Sequence, residues 1–171
     1  MVGTIESAPI AFFCSKACPG DIMLEAQDWA NARGPQSAPV IGGFHSAIER
    51  DVLRILLRGN AHVIIVLARA LGGWRAPSAI KSAIGAGSAL ALSPFPATQR
   101  RTTRYTAEAR NRYILTLCRT ALFAHTSPGG KTESLAREAV AAGLVLQTFA
   151  SPANANLIAM GAIVAALQEA G

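Results

Sequence analysis

Ala121-Leu122-Phe123-Ala124-His125-Thr126-Ser127-Pro128-Gly129-Gly130-Lys131-Thr132-Glu133-Ser134 reads as a short apolar strand, a glycine turn and the start of a helix running to about Ala142. A strand that passes through glycines into a helix leaves backbone N–H groups unpaired at the helix mouth. Such a mouth takes a phosphate or another anion without a dedicated side chain. Gly129 and Gly130 supply the turn, Lys131 a point charge, Thr132 a hydroxyl and Glu133 a carboxylate. The plainer alternative is a connection in which glycine turns the chain and threonine caps the helix. A Walker A loop is excluded, because its first glycine would fall on His125.

Outward from this stretch, strand-like and helical runs alternate. Residues 9–14, Val40-Ile41, 62–67, 89–92, 121–124 and 144–149 are short apolar runs that predict strands. The run at 62–67 is continuous and β-branched, as in strands buried on both faces. Residues 21–32, 46–58, 78–84, 106–118 and 132–142 carry helical spacing, and 155–168 predicts a closing helix. This alternation predicts an α/β, Rossmann-like parallel sheet with helices on both faces. Ligands of such sheets sit beyond the carboxyl ends of the strands. There the sequence places Cys14-Ser15, Gly42-Gly43-Phe44-His45, Ala68-Arg69, Ser93-Pro94-Phe95-Pro96, Pro128-Gly129-Gly130 and Ser151-Pro152.

With 171 residues, 51% hydrophobic and 15% charged, the chain fits one globular domain spanning residues 1–171. No run has the apolar length of a membrane span, and no signal peptide is evident at the N-terminus. Three cysteines, Cys14, Cys18 and Cys118, do not suggest a disulfide framework, and a cytoplasmic location is expected. The Cys14/Cys18 spacing lacks a second ligand pair for zinc, so neither a metal nor a cofactor is expected. Cys14, just ahead of a helix, is a candidate reactive thiol.

The net charge of +6 is concentrated between Gln99 and Arg112, where Arg100, Arg101, Arg104, Arg110 and Arg112 face only Glu108. Such a cluster suits a polyanion, and arginine grips phosphate oxygens in pairs. A solvated face or internal ion pairs would account for the same residues. His45 and Glu49, one helical turn apart, form a candidate acid–base unit; helix capping is the alternative. Trp74 and Phe95 are candidates for base stacking or for filling a helix–sheet seam.

Taken in order, Gly42-Gly43-Phe44-His45, the strand at 62–67, Ser93-Pro94-Phe95-Pro96, Arg110-Asn111-Arg112, Pro128-Gly129-Gly130-Lys131-Thr132 and Asn156-Leu157-Ile158 with Gly161-Ala162 resemble the Rossmann-like core of the DNA-processing protein A (DprA/Smf) family. The resemblance covers roughly residues 8–165. It implies that Arg110 and Arg112 help hold single-stranded DNA, that Gly129 and Gly130 form an anion-binding pocket and that Gly42 and Gly43 match the turn ending the second strand; with Lys131 and Thr132 of the glycine turn these make the candidate phosphate site. Family members form homodimers, for which the apolar stripe of Ile158, Ile163, Val164 and Leu167 is a candidate association face; a core helix explains the same stripe equally well. The wider group includes the LOG proteins. By that likeness, Glu133 and Arg112 would serve a nucleoside monophosphate phosphoribohydrolase. The conspicuous residues are cations and glycines rather than acid–base pairs, which favours binding of single-stranded nucleic acid or a nucleotide over catalysis.

Overall fold

A computed structural model of the chain describes residues 7–166. Among these, the elements in chain order are β1 (Ile10–Phe13), α1 (Gly20–Asn31), β2 (Val40–Gly42), α2 (Ala47–Arg58), β3 (Val63–Val66), α3 (Ser78–Gly85) and β4 (Ala89–Leu92). They continue with α4 (Arg104–Leu115), β5 (Thr120–Phe123), α5 (Lys131–Ala141), β6 (Val145–Thr148), a 3₁₀ turn at Pro152–Asn154, α6 (Ala155–Ala159) and β7 (Ile163–Val164). All strand pairs are parallel, in the order β4-β3-β2-β1-β5-β6-β7. The predicted Rossmann-like α/β fold is the fold observed.

Strand residues alternate between two cores, as a pleated sheet covered on both sides requires. Phe12, Val63, Ile65 and Leu122 pack with α1, α2 and α3 through Ile22, Trp29, Ile48, Val52 and Ile80. Ala11, Phe13, Ile64, Val66 and Phe123 face the other way, onto Ile114 of α4, Leu135 of α5 and Leu157 of α6. Central β1 carries an aromatic stack on each face. Phe12 lies 5.4 Å from Trp29 and Phe13 lies 4.9 Å from Phe123, centroid to centroid. Burying each such ring contributes about 1.5–3 kcal/mol.

The chain builds outward from β1 to β4 and then returns to β5 on the other side of β1. Helix α4 makes that return across one face of the sheet, and this brings its side chains over β2 and β3. The carboxyl ends of β1 and β5 mark the switch point. Their loops are tied together: Ser15 N–H donates to His125 O (3.0 Å) and Ser127 N–H to Ser15 Oγ (3.1 Å).

One expectation fails. The closing helix does not run through 155–168: α6 stops at Ala159, and Ile163–Val164 form a parallel edge strand on β6. The stop is a Schellman turn. Gly161 adopts φ 98°, its N–H reaches Ile158 O, and the Ala162 N–H reaches Leu157 O. Ile158, Ile163 and Val164 are exposed, while Leu167 lies outside the described residues. Among the described residues, no helix is long and apolar enough to cross a membrane.

Candidate functional site

A cleft of about 890 Å³ opens on the carboxyl rim of the sheet. Cys14 and Lys16 enter it from the loop after β1, and His45, Ser46 and Glu49 from the start of α2. Helix α4 and its approach contribute residues 102–104, 107–108 and 110–112, and α5 contributes Lys131, Thr132, Ser134, Leu135 and Glu138. The loops after β3 and β6 stay outside it.

Glu49 organises the β1 and β2 loops. Its Oε1 accepts the His45 N–H (2.9 Å) and the Ser46 N–H (3.4 Å), while Oε2 accepts the Cys14 N–H (3.0 Å). Ser46 Oγ in turn accepts the Glu49 N–H, completing a capping box. Both carboxylate oxygens are therefore engaged by backbone, and the carboxylate makes no hydrogen bond to the His45 ring among the described residues. Capping accounts for this pair.

The arginines separate sharply. Arg100 and Arg101 lie in the segment before α4 and outside the cleft wall, and Arg104 opens the helix, exposed. The helix begins two residues earlier than Thr106 because Thr103 and Thr106 form a capping box. Arg112 is exposed and grips Glu138 with two nitrogens, its Nε lying 3.0 Å from Oε2 and its Nη2 3.1 Å from Oε1. Arg110 turns inward and is only 5% exposed. Its Nη1 donates to Val66 O (3.2 Å) and its Nε to Asn111 Oδ1 (2.8 Å). Burial pushes its pKa down and the nearby Glu49 charge pushes it up. A guanidinium starts so high that it remains charged.

The glycine turn is partly self-satisfied. Gly129 adopts φ 74°, its N–H donates to Glu133 Oε1 (3.3 Å), and the Gly130 N–H donates to Ser127 O (3.0 Å). Gly130 is the helix N-cap, so Thr132 does not cap but stands in the first turn. Lys131 and Thr132 line the cleft; Gly129 and Gly130 do not. The N–H groups of Lys131 and Thr132 have no hydrogen-bond partner among the described residues. Lys131 Nζ pairs with Glu108 across the cleft mouth, which pulls the Glu108 carboxyl below its ordinary range. Gly42 is buried at the end of β2, packed against the Phe44 ring, and Gly43 lies beneath Arg110.

Glu133 faces away from the cleft. It accepts from Asn156 Nδ2 (2.6 Å), Arg137 Nη2 (3.1 Å) and the Gly129 N–H, and these donors, Asn156 first, lower its pKa. A carboxylate so engaged is a brace between α5 and the turn into α6, not a group presented to a ribose. Behind it, fully buried Asn154 donates to Ala124 O (2.9 Å) and Phe149 O (3.0 Å), so its Oδ1 must accept from His125 Nδ1 (3.0 Å). This network under the glycine turn was not legible as a site from sequence. Lys16 and Asn111 were also missed as cleft residues. Trp74 packs against the core and, like Phe95, does not line the cleft.

No family model and no curated protein matches the sequence. Solved structures match the fold. The DNA processing protein A (DprA) of Streptococcus pneumoniae superposes with TM-score 0.75 at 17% identity, over 94% of this chain and 59% of that one. The Helicobacter pylori DprA, described for its unique single-stranded DNA binding mode, superposes with TM-score 0.73 at 14% identity, over 94% of this chain and 76% of that one. The chain thus has a DprA-like Rossmann fold and spans about three fifths of the length of the pneumococcal structure.

Proposed function

We propose that the protein binds single-stranded nucleic acid along the rim cleft, as a DprA-like component of DNA processing. The observation that carries this reading is the cleft's charge. Lys16, Arg104, Arg110, Arg112 and Lys131 line it against Glu49, Glu108 and Glu138, and each of these three carboxylates already has a partner in the protein. Positive charge focused in a concave wall attracts a phosphate backbone. The likeness to a DprA described as binding single-stranded DNA supports the same reading. A phosphoribohydrolase finds less support, since Glu133 is turned inward and the cleft's carboxylates are all engaged.

The test is fluorescence anisotropy of a labelled oligonucleotide at increasing salt. Log K should fall linearly with log salt, by about 0.7 per phosphate contact. Lys16→Ala with Arg104→Ala should weaken binding and flatten that slope. Both side chains are exposed, so the fold should tolerate their loss. Absence of binding at low salt, or a slope unchanged in the double variant, would overturn the proposal.

A further inference from the structure

We propose that the floor of this cleft is a seat for a terminal phosphate monoester, with Arg110 as the residue that reads it. The inference rests on the nucleic-acid reading above and adds which part of the strand enters deepest. Arg110 lines the cleft although its side chain is almost fully buried. Two of its three nitrogens are fixed by Val66 O and Asn111 Oδ1, and Nη2 has no hydrogen-bond partner among the described residues. Among the described residues no carboxylate hydrogen-bonds to the guanidinium, and the oxygens of neighbouring Glu49 accept from the Cys14, His45 and Ser46 N–H groups. A buried cation without a contacting anion is costly, and an entering anion relieves that cost.

The direction of access selects the kind of anion. Gly43 and the end of β3 back the guanidinium, and Arg110 lines the cleft, which gives a ligand its approach. An internal phosphodiester would have to bring both flanking sugars down to the floor. A monoester is tethered on one side only, presents three oxygens, and carries about 1.5–2 negative charges near neutral pH. Lys131 and Thr132, the first residues of the 11-residue helix α5, line the same cleft, and their N–H groups, unpartnered among the described residues, are further donors for an anion there.

A phosphate monoester is offered by a strand end or by a free mononucleotide, and the experiment separates these sources. Anisotropy is measured on the full chain with one oligonucleotide prepared in three forms: 5′-phosphorylated, 3′-phosphorylated and hydroxyl-ended. Adenosine monophosphate serves as competitor. One phosphorylated end should bind about tenfold tighter than the hydroxyl-ended strand, a difference near 1.4 kcal/mol. Arg110→Lys should erase that preference, so that phosphorylated and hydroxyl-ended strands bind the variant equally. Equal affinity for all three strands on the unaltered protein overturns the seat but leaves nucleic-acid binding standing, and this comparison needs no variant to fold. Retained preference in a folded Arg110→Lys protein overturns it too. Binding of adenosine monophosphate without any strand supports the seat and removes the strand reading. Binding of none of these overturns both.

Discussion

The Arg110 guanidinium occupies the space that a side chain on Gly43 would need. A β-carbon built on Gly43 would lie 2.6 Å from Arg110 Nε and closer still to its Cζ and Nη1. Helix α4 and the end of β2 are thus fitted to one another through a missing methyl group. Gly43→Ala should expel Arg110 or push the β2–α2 turn aside, costing about 1–3 kcal/mol as overpacking does. Thermal unfolding checks this. The informative comparison is the double variant Gly43→Ala/Arg110→Ala, whose loss should be smaller than the sum of the two single losses because the clash is gone. Additive losses, or an unchanged Tm in Gly43→Ala alone, would mean that the contact relaxes without consequence.

Glu133 makes stability depend on acid. Its folded-state pKa is lowered by Asn156, Arg137 and the Gly129 N–H, so the stabilisation is complete above the unfolded carboxyl value of about 4.3. It is lost as pH falls through the lower native value. Glu133→Gln should therefore be less stable than the parent at pH 7, and the two melting curves should converge as the pH drops below about 4. Parallel Tm profiles from pH 7 to pH 3 would show that the carboxylate charge contributes nothing to the brace.

Much of this fold can be read in the sequence because parallel strands covered on both faces are plain apolar runs. Val63–Val66 and Thr120–Phe123 are examples, and each is followed by a helix-length pattern. The C-terminal segment was misread for the opposite reason. Its Ala-rich composition favours helix, and a two-residue edge strand has no periodicity to set against it. The punctuation was nonetheless present in Met160-Gly161, since glycine just past a helix is the commonest stop signal. In the site, charge was visible but direction was not. Thr106, Arg110 and Ile114 stand four residues apart and are all buried, whereas Arg104, Glu108 and Arg112 share another face along the cleft. Helical phase, with Ile114 as its apolar reference, was the signal that separated the inward arginine from the outward ones. The Cys14 N–H bond to Glu49 and the Asn156 bond to Glu133 join segments far apart in sequence, and no local pattern announces them.

The three cysteines should differ in reactivity. Cys18 is half-buried, and the hydrogen bond from the Cys14 thiol lowers its pKa. Cys14 is pushed up by the same bond and by burial, and burial pushes Cys118 up to about 11. Since the thiolate is the reacting form, iodoacetamide on the native protein should label Cys18 first, with Cys14 and Cys118 reacting only on unfolding. Peptide mapping of a brief labelling reaction reads the order. Early label on Cys14 would indicate that the loop after β1 opens readily in solution.

Glu138 and Glu108 hold two of the cleft's cations, Arg112 and Lys131, in internal ion pairs at its mouth. Both pairs are largely solvent-exposed, where water and salt screen an ion pair, so losing one should barely move the Tm. Binding is another matter. Neutralising Glu138 removes a negative charge from the wall and releases a two-pronged guanidinium to meet phosphate. Glu138→Gln should thus bind single-stranded DNA more tightly, by about three- to tenfold at low salt. Its salt dependence should steepen by about 0.7 in log–log slope if Arg112 takes up one new phosphate contact. Arg112→Ala should do the reverse, since it leaves Glu138 unopposed in the path of the strand. If Glu138→Gln instead binds no better, or Arg112→Ala no worse, the strand does not pass the α4–α5 mouth of the cleft. The nucleic-acid path would then have to be sought on the Lys16 side.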